Sequence, residues 1–426
     1  MIVVCEPQCK DVSHEKINSG FIYGLRLAFP QVPIRFYADA THIEAIKDIF
    51  LYDNTVIENI EYVPIVFNGS LSILGMLSFR ALFIKIFAAT LEVGSNKIFF
   101  LSFSPTILYV IKKLKHKTSF QNMKFTFVLH GDFENIADVR DRPIVSAATG
   151  RPLINRLLKT KLSEYPRKIA GVIIRLFHKF ITETWQSAFI KLFPTKQMIL
   201  WKHSSDIKYV ALSPHILVNA KKYLDVEKLN MYPVVMPMIF AQPNAQPNNQ
   251  YPKFAVFGYG NSSMLQKVLT QLSHKGIEKP YEIRIIGMDN RGTEGFPNIT
   301  CPRPGKLLSR TEMEKYAQDI DMFLILYEEN RYRLSCSASI LESISNTKPI
   351  LHFNNDCLNT FNTKESPIGY CCDTIDEYAN IMEDIIGNYQ EYLPVLQAFR
   401  TNILSKRKQL SVEASAFQLK DSFTWT

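Results

Sequence analysis

The sequence predicts an α/β protein with two domains, each built on a parallel sheet. Short apolar runs alternate with segments of helical periodicity along most of the chain, and a polar stretch interrupts this alternation once. Strands that alternate with helices are typical of parallel sheets, because each helix returns the chain to the same edge of the sheet. A length of 426 residues fits about two to three domains, and 46% hydrophobic residues is an ordinary globular composition.

The first half of the chain contains the first set of alternating elements. Strands are predicted at Ile2–Cys5, Ile34–Tyr37, Val56–Val66, Lys97–Phe103, Lys124–His130 and Ile207–Leu212. Helices are predicted at Asn18–Ala28, Thr41–Phe50, Leu71–Leu91 and Pro105 to about His116, and another begins at Ser213-Pro214. Thr41, followed three residues later by Glu44, is the predicted cap of its helix. The nearly continuous apolar runs after residues 97 and 124 indicate strands that are buried on both faces.

The most apolar predicted helix contains charged residues. A bilayer span needs roughly 18 or more nearly uncharged apolar residues, whereas Leu71–Leu91 includes Arg80 and Lys85. We therefore expect a largely buried helix there. The first residues, Met1–Glu6, lack the basic region and long apolar core of a signal peptide. Seven scattered cysteines are typical of a reducing cytosol, so we expect a cytoplasmic protein.

The positive charge of the chain is concentrated in one segment. The whole chain has 49 Lys and Arg against 40 Asp and Glu, a net charge of +9. Between Arg151 and Lys208 there are 12 basic and three acidic residues, so this stretch accounts for the entire excess. The strand pattern is lost over about 138–206, which predicts a basic helical insertion in the first domain. Charge confined to one segment indicates a local contact surface.

Bulky apolar and aromatic residues alternate with the basic residues of this insertion. Helices that combine Lys and Arg with aromatic residues are typical of proteins that bind an anionic membrane surface. The residues predicted to contact the membrane are Arg167, Lys168, Arg175, Lys179 and Trp185. A solvated helical face and an apolar subunit interface are the alternatives. No nucleic acid is expected as a partner, because no nucleic-acid-binding motif accompanies the charge.

A linker and a second set of elements follow. Residues 241–252 are rich in Pro, Asn and Gln and have no apolar period, which predicts a linker. Strands are predicted at Phe254–Phe257, Tyr281–Ile286, Ile299, Met322–Tyr327 and Pro349–Phe353. Helices are predicted at Ser262–His274, Ser309–Gln318, Ser337–Ser345, Thr374 to about Ile386, and Tyr389 to about Leu410. The predicted domains are therefore 1–240 and 253–388, followed by a helix and tail at 389–426.

The second domain opens with a candidate phosphate-binding turn. A strand ends at Phe257, and a glycine-containing turn leads into a helix that Ser262 or Ser263 would cap. Exposed N–H groups and the helix dipole suit such a turn to an anion. The candidate residues are Gly258, Gly260, Asn261 and Ser262. The pattern is neither G-x-G-x-x-G nor a Walker loop, and a plain strand-to-helix turn is the alternative.

A second candidate site follows the strand that ends at Tyr327. Arg331 and Arg333 could each offer a bidentate contact to a diphosphate. The loop continues through Ser335 and Ser337 into a helix, and Glu342 lies about one turn into that helix. A carboxylate there could reach a ribose or hexose hydroxyl. The alternative is a polar surface loop followed by a capped helix.

Candidate catalytic residues follow two strands of the first domain. His130-Gly131-Asp132-Phe133-Glu134 comes after a buried strand, and Glu15 belongs to the loop after the first strand. Ligands of such sheets bind at the carboxyl ends of the strands. Asp132 is the first candidate for a general base, Glu15 is the second, and His130 also lies in this segment. Capping or solvated side chains are the alternative for each.

The order of these elements resembles that of the GT-B glycosyltransferases. Ile283–Gly287 is similar to the strand and glycine before their nucleotide site, and Lys315–Tyr327, with Asp321, is similar to the helix, Asp and strand before their donor loop. Ser337–Ile350 resembles the family's "Ser…Glu-Ala…Gly-Lys-Pro-Val" segment, with Asn346 in place of the glycine. The large retaining family has two glutamates eight positions apart, and the first is absent or displaced here. His130-Gly131-Asp132 resembles the His-Gly loop that faces the acceptor.

This resemblance implies two Rossmann-like domains and a C-terminal helix that returns to the first domain. It implies that Glu342 binds the donor ribose and that Ser335 and Ser337 lie near the diphosphate. With the basic insertion, it predicts a glycosyltransferase at the inner face of the cell membrane. Its donor would be a nucleotide-sugar, and its acceptor a lipid-linked molecule or a saccharide of cell-envelope polysaccharide synthesis (capsule, O-antigen or exopolysaccharide). No metal or other cofactor is expected if Arg and helix N–H groups stabilise the diphosphate. A sugar-nucleotide epimerase and a non-catalytic membrane adaptor are the alternatives.

Overall fold

The computed structural model describes residues 1–66, 73–137, 194–240, 242–243, 245–258, 260–287, 292–305 and 308–424, with the backbone alone at 73–76. Most of the predicted basic insertion lies outside the described residues. So do all five predicted membrane-contact residues: Arg167, Lys168, Arg175, Lys179 and Trp185.

The first domain is built on a seven-stranded parallel sheet. Its strands are β1 Ile2–Cys5, β2 Ile34–Ala38, β3 Ile60–Pro64, β4 Lys97–Phe100, β5 Lys124–Leu129, β6 Ile207–Ala211 and β7 Met231–Pro233. Their order is β3-β2-β1-β4-β5-β6-β7. The chain adds strands on one side of β1 and then on the other, and such a reversal opens a crevice at the carboxyl edge of a sheet.

Six helices connect the described strands of this domain. They are α1 Glu15–Ala28, α2 Ala40–Tyr52, α3 Ile73–Glu92, α4 Pro105–Lys115, α5 Thr195–Leu200 and α6 Pro214–Ala220, with a 3-10 turn at Gly131–Ile136. Asp39, not Thr41, caps α2, because its carboxylate accepts the Thr41 N–H at 3.0 Å. The predicted Thr41 cap was therefore wrong. In α4, Pro105 occupies the first turn, where a backbone donor is not needed, and Ser104 is the cap.

The helices form two layers around the sheet. Phe21 of α1 contacts Phe99, and Phe83 of α3 contacts Phe100. Since neighbouring residues of a strand point to opposite faces, α1 and α3 cover opposite faces of the sheet. Both β4 phenylalanines are fully buried, as the apolar run predicted. Among the described residues, no helix is long and apolar enough to cross a bilayer.

The second domain has a six-stranded parallel sheet. Its strands are β8 Lys253–Phe257, β9 Glu282–Ile286, β10 Ile299–Thr300, β11 Met322–Ile325, β12 Ile350–Phe353 and β13 Gly369–Cys372, in the order β10-β9-β8-β11-β12-β13. Its helices, with the C-terminal pair, are α7 Ser262–His274, α8 Arg310–Ala317, α9 Ala338–Ser345, α10 Asp356–Asn359, α11 Ile375–Gly387, α12 Tyr389–Gln409 and α13 Val412–Phe423. The predicted two-domain α/β fold is confirmed.

The end of the chain packs on the first domain. The single helix predicted from Tyr389 to about Leu410 is followed by α13, which Ser411 caps. Helix α13 packs against α1, where a Cβ at Gly24 would lie only 2.5 Å from Cδ1 of Leu419. Lys208 of β6 donates to the carbonyl of Thr424 at 2.7 Å. The C-terminal pair therefore connects the two sheets.

Candidate functional site

Residues that follow strands of the two sheets contact one another at the boundary between the domains, which is called the cleft below. Lys16, at the start of α1, places its Nζ 2.5 Å from Oε1 of Glu342 on α9. The two side chains are 20% and 13% exposed, so both are largely withdrawn from solvent. The carboxylate that the sequence predicted as a donor ligand thus lies at the boundary between the domains, paired with a lysine of the first domain.

The His-Gly-Asp segment of the first domain contacts the loop at 328–337 of the second, which is called the donor loop below after the predicted site. Oε1 of Glu134 accepts the backbone N–H of Leu334 at 2.9 Å and the hydroxyl of Ser335 at 2.7 Å. Burial raises the pKa of Glu134. Its other oxygen is buried and has no hydrogen-bond partner among the described residues. The structure therefore brings together two of the segments that the sequence selected.

Two histidines stack at the first-domain side of this cleft. The rings of His14 and His130 lie 4.9 Å apart, inclined by 25°. Nε2 of His130 lies 2.7 Å from the carbonyl of Leu101, so Nε2 carries the proton and Nδ1 is the basic nitrogen. Burial, reinforced by His14, lowers the pKa of His130 to about 3. The imidazole is therefore neutral at physiological pH and a weak base.

The pKa values of the two candidate carboxylates are shifted in the opposite direction to that of His130. Burial raises the pKa of Asp132 and of Glu15 above the ordinary carboxyl values. Asp132 is half-buried in the 3-10 turn after β5, and Glu15 is half-buried at the start of α1. A raised pKa brings a carboxylate closer to the proton affinity that a general base needs at neutral pH. Both remain candidates for that role.

The glycine turn of the second domain lies against the start of α9. Gly258 and Gly287 follow neighbouring strands, and both have left-handed backbones, with φ of 77° and 99°. A Cβ at Gly258 would come 3.0 Å from Oγ of Ser339, one helical turn before Glu342. The turn, the helix start and the predicted ribose ligand are therefore neighbours.

Two details of this turn differ from the prediction. Asn261, not Ser262 or Ser263, caps α7, because its side chain accepts the N–H of Met264 at 3.1 Å. The N–H of Gly260 donates to the carbonyl of Gly258 at 3.1 Å and so is engaged within the turn. Ser262 is the first residue of α7 and is half-buried.

The two arginines of the donor loop differ in exposure, since Arg331 is exposed and Arg333 is half-buried. The guanidinium of Arg331 lies 4.9 Å from the ring centroid of Tyr332, and Arg331 is exposed. Arg333 donates to the side chain of Asn330 at 3.3 Å. Tyr332 has φ of 59°, an uncommon conformation for a residue with a side chain, and one that occurs frequently at functional sites.

Ser337 supports the loop from within. Its side chain is fully buried, hydrogen-bonds the hydroxyl of Tyr327 at 2.8 Å, and caps α9 by accepting the N–H of Ser339. Ser335 is buried as well, and its hydroxyl donates to Glu134. Both serines thus have internal partners.

Two residues outside the predicted site, both in the first domain, hold the donor loop. Nε2 of His215 lies 2.9 Å from the carbonyl of Tyr332 and 3.1 Å from that of Ser335. Nδ2 of Asn219 donates to the carbonyl of Arg333 at 3.0 Å. Both side chains belong to α6, the helix after β6. Their position after a strand of the same sheet was the available signal, since such positions converge at the carboxyl edge.

The resemblance to the "Gly-Lys-Pro" segment is shifted by one residue. Thr347, directly before Lys348-Pro349, has a left-handed backbone with φ of 52°, whereas Asn346 has φ of −81°. Lys348 is fully buried and donates to the carbonyls of Gln318 and Ile320, both at 2.7 Å. Burial lowers its pKa to about 7. This lysine therefore supports the end of α8 and does not face the cleft.

The sequence contains an Asp-x-Asp triplet, Asp319-Ile320-Asp321. The prediction of a metal-free site did not take this triplet into account. Asp319 pairs with Lys253 at 2.6 Å and with Arg284 at 2.5 Å, and Asp321 accepts the N–H of Lys253 at 2.9 Å. Both carboxylates precede β11, at the edge of the sheet away from the cleft. Among the described residues, no cluster of three or more His, Cys, Asp or Glu side chains could hold a metal ion.

Comparisons with known proteins concern the fold. No family model matches the sequence, and no curated protein matches it. A glycosyltransferase from Rickettsia africae ESF-5 is similar in structure, with 12% identity, a TM-score of 0.57, and 100% of this chain and 99% of that chain covered. Complexes of Anabaena HepE with UDP and with UDP-glucose have 10% and 9% identity and TM-scores of 0.54 and 0.55. Both cover 99% of this chain, and 99% and 98% of HepE.

These similarities extend over both sheets and the segment between them. At such low identity these similarities show the fold alone. The chemistry has to be inferred from the residues of the cleft. Two domains, each built on a parallel sheet, are the arrangement that the sequence predicted. The chain therefore has a GT-B fold, the architecture of the glycosyltransferase to which it is similar.

Proposed function

We propose that this protein is a glycosyltransferase that moves a sugar from a nucleotide-sugar to a lipid-linked or saccharide acceptor in cell-envelope polysaccharide synthesis. One observation carries the proposal. Glu342 lies in the interdomain cleft, one helical turn from the Ser339 that touches the Gly258 turn, and it meets Lys16 of the other domain there. UDP and UDP-glucose complexes of a protein with this fold support a nucleotide-sugar as the donor.

The donor would lie along the second-domain side of the cleft. The Glu342 carboxylate would accept hydrogen bonds from the ribose hydroxyls. The diphosphate would lie between the Gly258 turn and the start of α9, where helix N–H groups stabilise negative charge. Arg331 or Arg333 would stabilise the diphosphate as it leaves. This proposal explains why an exposed guanidinium is held beside Tyr332 in a constrained loop.

The acceptor would approach from the first domain. In an inverting reaction, the Asp132 carboxylate would take the proton of the acceptor hydroxyl while the oxygen of that hydroxyl bonds to the anomeric carbon. The bond between that carbon and the diphosphate oxygen would break, and the nucleoside diphosphate would leave with the electron pair. Glu15 is the second candidate for the base. His130, with its low pKa, is better suited to bind a hydroxyl than to remove its proton.

Membrane contact is part of the proposal. Each basic residue near an anionic lipid surface contributes about 1 kcal/mol. The segment 151–208 holds 12 basic residues, among them Arg167, Lys168, Arg175 and Lys179. Such a surface would place the acceptor-side domain at the inner face of the cell membrane, where a lipid-linked acceptor is available.

The test is incubation with a panel of nucleotide-sugars while nucleoside diphosphate release is measured. We expect release with one nucleotide class and at least tenfold weaker nucleotide binding by Glu342→Ala. The matched control is Glu383→Ala, which removes a carboxylate of the same domain that pairs with Lys275 away from the cleft.

The proposal fails if no nucleotide binds and Glu342→Ala behaves as the wild type does. An epimerase would interconvert the donor sugar without net release of nucleoside diphosphate. An adaptor would bind vesicles but no nucleotide.

A further inference from the structure

The first domain contains a cavity that the donor site does not use. Its volume is about 570 Å³, within the roughly 300–1,000 Å³ of small-molecule sites. Its walls are the carboxyl ends of β2 and β3 and one face of α3. Residues that line it include Tyr37, Val63, Ile65, Ala81, Leu82 and Ile86.

The topology explains why this cavity exists. Helix α3 packs over the middle of the sheet, where Phe83 contacts Phe100 and Phe87 contacts Phe125. The outer strands β2 and β3 lie to one side of that contact, at the edge of the sheet. The same face of these strands therefore forms the floor of the cavity, and α3 forms its wall.

The face of β2 and β3 that forms the floor changes from charged to apolar along the strands. Arg35 and Glu61 are paired in register and joined by an ion pair of 2.7 Å. Two residues further along, on the same face, Tyr37 is paired with Val63, and both line the cavity. At the rim, Val66 is 82% exposed. The slot is thus apolar and opens at the carboxyl edge of the sheet.

One charged side chain lies among the lining residues. Lys85 is exposed and has no ion pair with an acidic residue in the described part of the chain. The other polar lining side chains are Tyr37 and Ser78. A free sugar needs several convergent polar groups for recognition, so this lining does not suit one. An apolar slot with a single cation at its wall is complementary to a hydrocarbon chain that carries an anionic head.

The cavity opens at the same sheet edge as the cleft. The carbonyl of Tyr37 accepts the N–H of Glu6 at 2.8 Å, and Glu6 begins the loop that leads to His14 and Glu15. We propose that the cavity binds the hydrocarbon tail of a lipid-linked acceptor, with the anionic head beside Lys85. This inference rests on the proposed function, since it names the acceptor class of that reaction.

The test uses cis-parinaric acid, a long-chain carboxylate that becomes fluorescent in an apolar site, and its uncharged methyl ester. We expect the wild type to bind both, and dodecyl phosphate to displace them. Ala81→Trp fills the slot and should weaken both probes at least tenfold. Lys85→Glu should weaken the acid severalfold and leave the ester unchanged. The controls on the same helix, outside the lining residues, are Leu91→Trp and Arg80→Glu, which should bind as the wild type does.

The inference is overturned if the wild type does not take up the probe or if Ala81→Trp binds it normally. Nucleotide affinity is measured in parallel on the same preparations, and thermal unfolding checks that each variant is folded. Nucleotide binding without probe uptake contradicts the lipid site alone. Probe uptake without nucleotide binding contradicts the proposed function, and the acceptor assignment with it.

Discussion

Asp132 and His130 lie two residues apart, yet burial shifts their proton affinities in opposite directions. Burial disfavours the charged form of each group, so it raises the pKa of the Asp132 carboxyl and lowers that of the His130 imidazole. At neutral pH the carboxylate is the stronger base of the two. Burial also raises the pKa of Glu15. Because Glu15 lies beside the Lys16–Glu342 pair, it is the competing candidate for the base.

Asp132→Asn should lower kcat by about 10²–10⁴-fold and leave nucleotide binding intact, because it removes the base without changing the donor site. Only the ionised carboxylate accepts a proton, so the wild-type rate should fall as the pH falls through the pKa of Asp132. That acid limb should lie above the ordinary Asp value of 3.8. The measurement is kcat/KM against pH for the wild type, Asp132→Asn and Glu15→Gln. An unchanged rate and acid limb in Asp132→Asn would exclude it as the base.

The sequence analysis selected Glu342, Glu134 and the loop at 328–337, which lie at the domain boundary, but not the residues that contact them. Glu342, Glu134 and the donor loop follow apolar strands, which is a local signal that periodicity reveals. Lys16 and His215 become important only through contacts with residues 326 and 117 to 120 positions away. Such contacts depend on how the two domains are placed, and a single sequence does not contain that information.

Individual elements show where periodicity is sufficient. Strands β4 and β5 were recognised because their apolar runs are continuous, and every residue after Lys97 and Lys124 in these strands is buried. Strand β13, Gly369–Cys372, was missed because four residues of mixed polarity at a sheet edge have no distinctive pattern. Helix α13 was missed because it continues the helical composition of α12 after a break at Ser411.

Helix α1 depends on a glycine at its contact with the segment that follows β7. A Cβ at Gly20 would lie 2.3 Å from the carbonyl oxygen of Pro237. Because that oxygen belongs to the backbone, it cannot move aside as the end of a flexible side chain could. Gly20→Ala should lower the free energy of unfolding by about 2 kcal/mol, since overpacking exceeds the helix-propensity gain of roughly 1 kcal/mol.

Urea unfolding followed by circular dichroism measures this effect. The control is Gly387→Ala at the end of α11, where a Cβ would have no neighbour within 4 Å. Equal stability of the two variants would show that α1 and the segment after β7 are not in rigid contact.

At the scale of the whole molecule, buried polar contacts join the two domains beside the cleft. Besides Lys16–Glu342, Arg310 of α8 pairs with Asp53 after α2 at 2.9 Å, and their side chains are 12% and 3% exposed. The Arg310 guanidinium also lies 4.5 Å from the ring centroid of Tyr52. Removal of one partner from so buried a pair leaves an uncompensated charge.

Arg310→Met should lower the free energy of unfolding at pH 7 by about 3 kcal/mol. Burial already raises the pKa of Asp53, and loss of the arginine should raise it further. The folded variant then binds more protons than the unfolded chain, so its stability should recover as the pH falls through that pKa.

Urea unfolding at pH 7 and pH 5 tests this sign. Lys275→Met is the control, because its partner carboxylate is 43% exposed and such pairs contribute about 1 kcal/mol or less. A loss for Arg310→Met that is the same at both pH values would contradict the role assigned to Asp53.

The most direct measurement of the central claim is a crystal structure with the nucleoside diphosphate released in the donor assay. The account predicts ribose hydroxyls within hydrogen-bond distance of the Glu342 carboxylate, and a diphosphate between the Gly258 turn and the start of α9. A nucleotide bound elsewhere on the protein, with Glu342 still paired only to Lys16, would contradict it.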